Sequence, residues 1–168
     1  NAGTGEGWLV VEGDESDRTI AALRPKVAVV TNVDLDHHSE FASRAEVAAL
    51  FDEWLAAVPT VIRGEELPPL NGGLLVPGEH NRRNAAAAIA ALEAAGVERA
   101  GAVAALAEFA GVGRRLERRG EAGGVAVYDD YAHNPPKVEA AIDALRESGD
   151  GREQLRKAVS GHCPEEGR

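Results

Sequence analysis

Two apolar runs stand near the start of the chain, WLVV at residues 8–11 and VAVVTNV at residues 27–33. Neither shows strict alternation with polar positions, so each predicts a strand covered on both faces, as in a parallel sheet. The stretch between them, residues 14–26, is long enough for the crossover of about a dozen residues that parallel strands require. Helical spacing follows. Ser43 and Glu46 form an S-x-x-E capping box, and Val47, Leu50, Phe51, Trp54, Leu55 and Val58 recur on one face until Pro59. That spacing assigns Phe51 and Trp54 to the core. Residues 60–77 are short and punctuated by glycine and proline, with strands predicted around 61–62 and 74–76. An alanine-rich helix comes next, capped by Asn81 or Asn84 and closed before Gly96. A further helix over 99–110 places Val103, Leu106 and Phe109 on one face. Residues 116–119 and 125–128 predict a hairpin around the glycine-rich 120–124. Pro136 then sits in the first turn of a last helix with Val138, Ile142 and Leu145 as its apolar stripe. Beyond Ser148 the chain is polar, carries a late proline and is expected to be poorly ordered.

Acids follow each opening run: Glu12, Asp14, Glu15 and Asp17 after the first, Asp34, Asp36, His37 and His38 after the second. Ligands of an open parallel sheet bind beyond the carboxyl ends of its strands, so two clusters on that edge suit a divalent cation with its phosphates. The same acids also suit a humbler task, capping the next helix. The formal net charge of −10 argues against nonspecific nucleic-acid binding and against an anionic membrane surface, which both need a basic face. With 44% hydrophobic but only 4% aromatic residues, the core is expected to be aliphatic. The longest unbroken apolar run, residues 85–92, is too short to span a bilayer. No basic-then-apolar leader opens the chain, and Cys163 is the sole cysteine, so a cytoplasmic protein without intrachain disulfides is expected.

Four motifs carry candidate chemistry. They are VEGDESD with VVTNVDLDHH, then GEHNRRNA, then GVGRRLE, then DDYAHNP. Each has a structural alternative: the asparagines cap a helix, the arginines form a solvated run with Arg118 and Arg119, and Asp130 and His133 tie down a loop. In this order the set resembles the Mur ligase family, and VEGDESD is nearest the branch that joins L-alanine to UDP-N-acetylmuramate.

The resemblance implies an α/β chain: part of a central ATPase domain with a P-loop-like parallel sheet over residues 1–110, then the start of a Rossmann-like C-terminal domain over 111–168. It implies an ATP-dependent amide-bond ligase of peptidoglycan precursor synthesis working through an acyl phosphate. ATP and Mg²⁺ are then the cofactors, with UDP-N-acetylmuramate and L-alanine as substrates. Glu12, His37 and Glu15 become metal ligands, Asn84 approaches the adenine, and Arg115, Asp130 and His133 face the reacting nucleotide, with His80 and Asn81 shaping their turn. The chain departs from the family in three ways. It has no Gly-Lys-Ser/Thr and hence no Walker A motif, so the isolated chain is expected to be inactive. The stretch from His37 to His80 is short, and the tail lacks the family's next strand. Another amide ligase of the superfamily, of murein-tripeptide or cyanophycin type, and a noncatalytic nucleotide-binding remnant are the alternatives.

Overall fold

The structure is a computed structural model and describes residues 7–35 and 40–148. It divides into two compact units: the described parts of Asn1–Asn71 with Arg83–Leu106, and Gly72–Arg82 with the described residues from Ala107 on.

The first unit is built on a parallel pair, β1 (Val27–Val30) and β2 (Thr60–Arg63), in register from Val27 opposite Thr60 to Val30 opposite Arg63. Helix α1 (Arg44–Leu55) makes the connection and buries Val47, Phe51 and Leu55, one residue per turn of the same face. These close on Ile20, Ala28, Val30 and Phe41 to form the core. Ser43 caps α1 by accepting from the Glu46 N–H at 3.3 Å, while the Glu46 carboxylate reaches back to the Ala42 N–H at 2.9 Å. Phe51 is a core residue as expected, whereas Trp54 is half-buried and packs against that core, edge-on to Phe51 and donating its indole N–H to the Leu23 carbonyl at 3.1 Å. Helix α2 (Glu79–Ala94) contributes residues to both units. It ends at Gly96, whose φ of 90° permits the Val97 N–H to reach the Leu92 carbonyl at 2.8 Å. Helix α3 (Arg99–Ala107) follows and ends three residues before the predicted boundary.

In the second unit an antiparallel hairpin, β3 (Glu117–Ala122) and β4 (Val125–Asp129), leads into α4 (Pro135–Glu147). Gly123 and Gly124 both have positive φ, as a tight two-residue hairpin turn requires, so the turn is shorter than predicted and β3 runs through Gly120 with an irregularity at Arg119. Asn134 caps α4 by accepting from the Lys137 N–H at 3.1 Å, with prolines in the first turn. Ala141, Ala144 and Leu145 are its buried face, and Arg82 pairs with Glu147.

Several expectations fail. Residues 8–11 form no strand: Leu9 is 85% and Val10 92% exposed, and among the described residues β1 pairs with β2 alone. β1 is likewise covered on one face, with Val29 42% exposed opposite the α1 side. Residues 74–76 are irregular. Neither asparagine caps α2, since the helix begins at Glu79, right after Gly78. Asn81 instead donates to the Pro77 carbonyl at 2.6 Å.

Gly78 is the position that backbone geometry most restricts. Its φ is 101°, and a Cβ there would lie 2.8 Å from Ala144 Cβ and 2.8 Å from His80 Cε1. Gly78→Ala is therefore expected to destabilise by about 1–3 kcal/mol from overpacking, beyond a left-handed penalty of roughly 1–2 kcal/mol. Gly72, at φ 72° with no atom within 4 Å, would suffer the backbone penalty alone. Denaturant titration of both alanine variants checks this; equal losses would show that the space around Gly78 is not limiting.

Candidate functional site

The open end of the β3–β4 hairpin gathers three of the candidate residues, Arg115, Asp130 and His133. Glu117 pairs with Asp129 at that end, so the segment entering β3 and the loop leaving β4 lie side by side. Asp130 ties them together. One carboxylate oxygen accepts the Leu116 N–H at 2.8 Å and the other accepts the Ala132 N–H at 2.7 Å. The Tyr131 N–H adds a bond to the Arg114 carbonyl at 2.9 Å.

The entering segment is an arch of unusual backbone. Arg114 and Leu116 have φ of 60° and 48°, a left-handed conformation that side chains disfavour, and they bracket Arg115. The Glu117 carboxylate accepts the Arg114 N–H at 2.8 Å and pairs with Arg119 at 2.6 Å. The Arg114 N–H bond, then Arg119, hold the Glu117 carboxyl below its ordinary pKa. Both arch guanidiniums lie over one ring: Arg114 is 5.0 Å and Arg115 5.6 Å from the Tyr131 centroid. His133 meets the same ring edge-on at 5.2 Å, with Nδ1 3.0 Å from the Tyr131 carbonyl oxygen. Tyr131 is 48% exposed. Arg118 and Arg119 are paired with Glu121 and Glu117, whereas Arg114 and Arg115 have no carboxylate partner among the described residues. A phosphate group matches such a pair, because each planar guanidinium donates several hydrogen bonds at once.

The other candidates lie elsewhere. Asn84 is exposed on α2, in the first unit. Glu12 is exposed and Glu15 partly covered. The acidic loop around them is partly occupied in folding itself: Asp14 accepts the Ser16 N–H at 2.7 Å, and Asp17 accepts both the Thr19 N–H and hydroxyl at 3.0 and 2.7 Å. The Thr19 hydroxyl, then its N–H, lower the Asp17 pKa. His37 lies outside the described residues, and among those described no group of three His, Cys, Asp or Glu could hold a metal ion. No described helix is long and apolar enough to cross a membrane.

Sequence reasoning overlooked two contributors. Glu117 and Tyr131 both lay inside quoted motifs, GVGRRLE and DDYAHNP, yet only their arginine, aspartate and histidine neighbours attracted roles. The left-handed arch left no signal, since neither Arg114 nor Leu116 is a residue type that favours it.

His80, in the first turn of α2, titrates abnormally. Burial pushes its pKa below 6.5; the Asp130 charge opposes this and Arg82 reinforces it. A histidine neutral in the fold binds its proton more readily when unfolded, so stability is lost as pH falls through about 6.5, and the loss levels off below the folded pKa. His80→Gln is expected to flatten the fall in melting temperature between about pH 7.5 and pH 5.5. An unchanged slope, or a ring NMR titration at or above 6.5, would contradict this.

Residues 114–162 match the domain family described as Mur ligase, glutamate ligase domain. Across 90% of its length the chain is 35% identical to UDP-N-acetylmuramate–L-alanine ligase of Streptomyces coelicolor, and it covers 44% of that protein. The ligase of the same name from Thermobifida fusca is 34% identical over 86% of this chain and 41% of its own length. The chain thus spans less than half the length of the curated relatives it matches. The Streptomyces alignment runs over 204 residues against 168 in this chain, so the relative carries residues within that stretch that are missing here. Among solved structures, UDP-N-acetylmuramate-alanine ligase of Thermotoga maritima superposes with a TM-score of 0.67, covering 80% of this chain and 41% of that one. At 23% identity that likeness concerns the fold: mixed helix and strand, with small parallel and antiparallel sheets. Residues 114–162 thus carry a domain of the Mur ligase family, within a chain that is similar along most of its length to curated ligases of that kind.

Proposed function

We propose that this chain supplies the nucleotide-facing side of an ATP-dependent ligase of peptidoglycan precursor synthesis, which joins L-alanine to UDP-N-acetylmuramate in the cytoplasm. The single observation that carries this reading is the pair Arg114 and Arg115, without carboxylate partners among the described residues, held on the Tyr131 ring in a chain of net charge −10. In the reaction, ATP phosphorylates the muramoyl carboxylate, and the amine of L-alanine displaces phosphate from the acyl phosphate to form the amide. This chemistry depends chiefly on positioning and charge stabilisation. Arg115 donates hydrogen bonds to the oxygens of the transferring phosphoryl group. Asp130 fixes both loops through its two backbone bonds, and each of its oxygens keeps a lone pair for the nucleotide. His133 borders the same surface, and Asn84 recognises the adenine. Residues 1–110 and 111–168 are the parts of the central and C-terminal domains that contribute these groups.

The donors of the acidic loop suit magnesium in type, because that ion prefers oxygen ligands and retains several waters. Glu12, His37 and Glu15 would hold it. When bound, magnesium neutralises charge on the phosphates.

Calorimetric titration of the chain with MgATP is expected to give saturable binding that Arg115→Ala weakens and that chelation of magnesium also weakens. No binding by the folded chain overturns the reading. Catalysis is tested in a chimera that carries residues 1–147 in place of the matching stretch of the Streptomyces relative. There Arg115→Lys should lower kcat by about a hundredfold while leaving ATP affinity nearly intact, since lysine keeps the charge and loses the planar fork. Unchanged kcat would remove Arg115 from the reacting centre.

A further inference from the structure

Three non-glycine residues among those described have positive φ, and two of them, Arg114 and Leu116, flank Arg115. Such a backbone costs roughly 1–2 kcal/mol per residue and persists only where its surroundings hold it. Each of the two is held by a carboxylate on its own N–H. Asp130 takes Leu116, and Glu117 takes Arg114 at 2.8 Å. Asp130 already has an assigned place at the site, whereas Glu117 has none.

We infer that Glu117 is a positioning residue: its carboxylate clamps the Arg114 N–H, keeps the arch left-handed and so presents Arg115 to the phosphates. Glu117 is suited to this because it is the first residue of β3 and its backbone is fixed by pairing with Asp129. The carboxylate therefore starts from an anchored point and reaches back three residues. Charge assistance makes it a stronger acceptor than a neutral amide. Arg119 bonds the other oxygen at 2.6 Å and leaves the oxygen that faces the arch to the Arg114 N–H. Without the clamp, Arg114 relaxes toward ordinary φ, and the direction of the next residue, Arg115, changes with it. The clamp acts on Arg115 through the backbone, so its loss leaves the guanidinium present but misdirected.

This inference rests on the reading of Arg115 as a phosphate ligand, and the test separates the two. The whole 168-residue chain is prepared as wild type, Glu117→Ala, Glu117→Gln, Arg119→Ala and Arg115→Ala. Two quantities are read: the NMR chemical shifts of Arg114 and Leu116 Cα and Cβ, which report left-handed φ without any ligand, and MgATP affinity. Glu117→Ala is expected to move both residues' shifts toward ordinary values and to weaken MgATP about tenfold, with thermal melting showing that the chain still folds. Glu117→Gln, which keeps a carbonyl oxygen for the Arg114 N–H, should recover most of both. Arg119→Ala should change neither, whereas a purely structural ion pair would make it resemble Glu117→Ala. Unmoved shifts in Glu117→Ala overturn the inference, as does weakened affinity in Arg115→Ala with none in Glu117→Ala. Unchanged affinity in Arg115→Ala defeats the phosphate reading, and the inference with it.

Discussion

One carboxylate joins the two loops on which the candidate site depends. Asp130 accepts the Leu116 N–H with one oxygen and the Ala132 N–H with the other, at 2.8 and 2.7 Å. The Ala132 N–H is local to Asp130, whereas the Leu116 N–H is brought to it across the hairpin by β3 pairing with β4. An ionised acceptor makes bonds about twice as strong as a neutral one. Hence the hairpin register, the arch before it and the loop after it form a single mechanical unit. A slip of one residue would turn Asp130 to the opposite face of the sheet and release both loops together.

The first unit obeys a different constraint. Its parallel pair is covered on one side by Val47, Phe51 and Leu55 of α1, which cluster with Ala28 and Val30 while Val61 packs against them. Arg18 fastens the loop before β1 to the start of α1: its guanidinium lies 4.6 Å from the Phe41 ring and donates to the Glu40 carbonyl and the Glu46 carboxylate. Glu46 therefore serves two ends at once, receiving Arg18 and closing the α1 cap through Ala42, and these bonds, Arg18's first, lower its pKa. The pair is largely exposed, at 47% and 39%, so its value lies in fixing geometry more than in stability.

What could be read from residues alone follows from how local each signal is. The α1 cap, its buried face and the existence of the β3–β4 hairpin were legible, because Ser43, the spacing of Val47, Phe51 and Leu55, and the glycines of 120–124 act within a few positions, although the turn itself narrows to Gly123-Gly124. The fate of residues 8–11 was not. An apolar run becomes a strand only when another strand exchanges hydrogen bonds with it, a long-range condition that the run does not encode, and among the described residues β1 pairs with β2 alone. The asparagines misled for a related reason: Gly78 at φ 101° starts α2 before either Asn81 or Asn84 is reached. In the candidate site, Arg115, Asp130 and His133 could be named from their motifs and fall on one surface. The carboxylate contacts that shape that surface arise from strand pairing and could not be seen in one dimension.

The electrostatics explain why a short basic run can matter in so acidic a chain. Four arginines occur between Arg114 and Arg119, against a formal charge of −10 overall. Local pairing divides them: Arg118 lies 3.0 Å from Glu121 and Arg119 2.6 Å from Glu117, which largely offsets each charge. Arg114 and Arg115 instead rest on the Tyr131 ring, which attracts the cation through its face but carries no net charge to cancel it. An aromatic platform thus orders the two guanidiniums and leaves their charge available. Against a net charge of −10, this small patch offers an anionic ligand a favourable local field. A flexible polyanion such as nucleic acid would be repelled beyond it. The arrangement favours a compact anion whose charge fits within the reach of two guanidiniums, and a nucleotide phosphate chain has that size and charge.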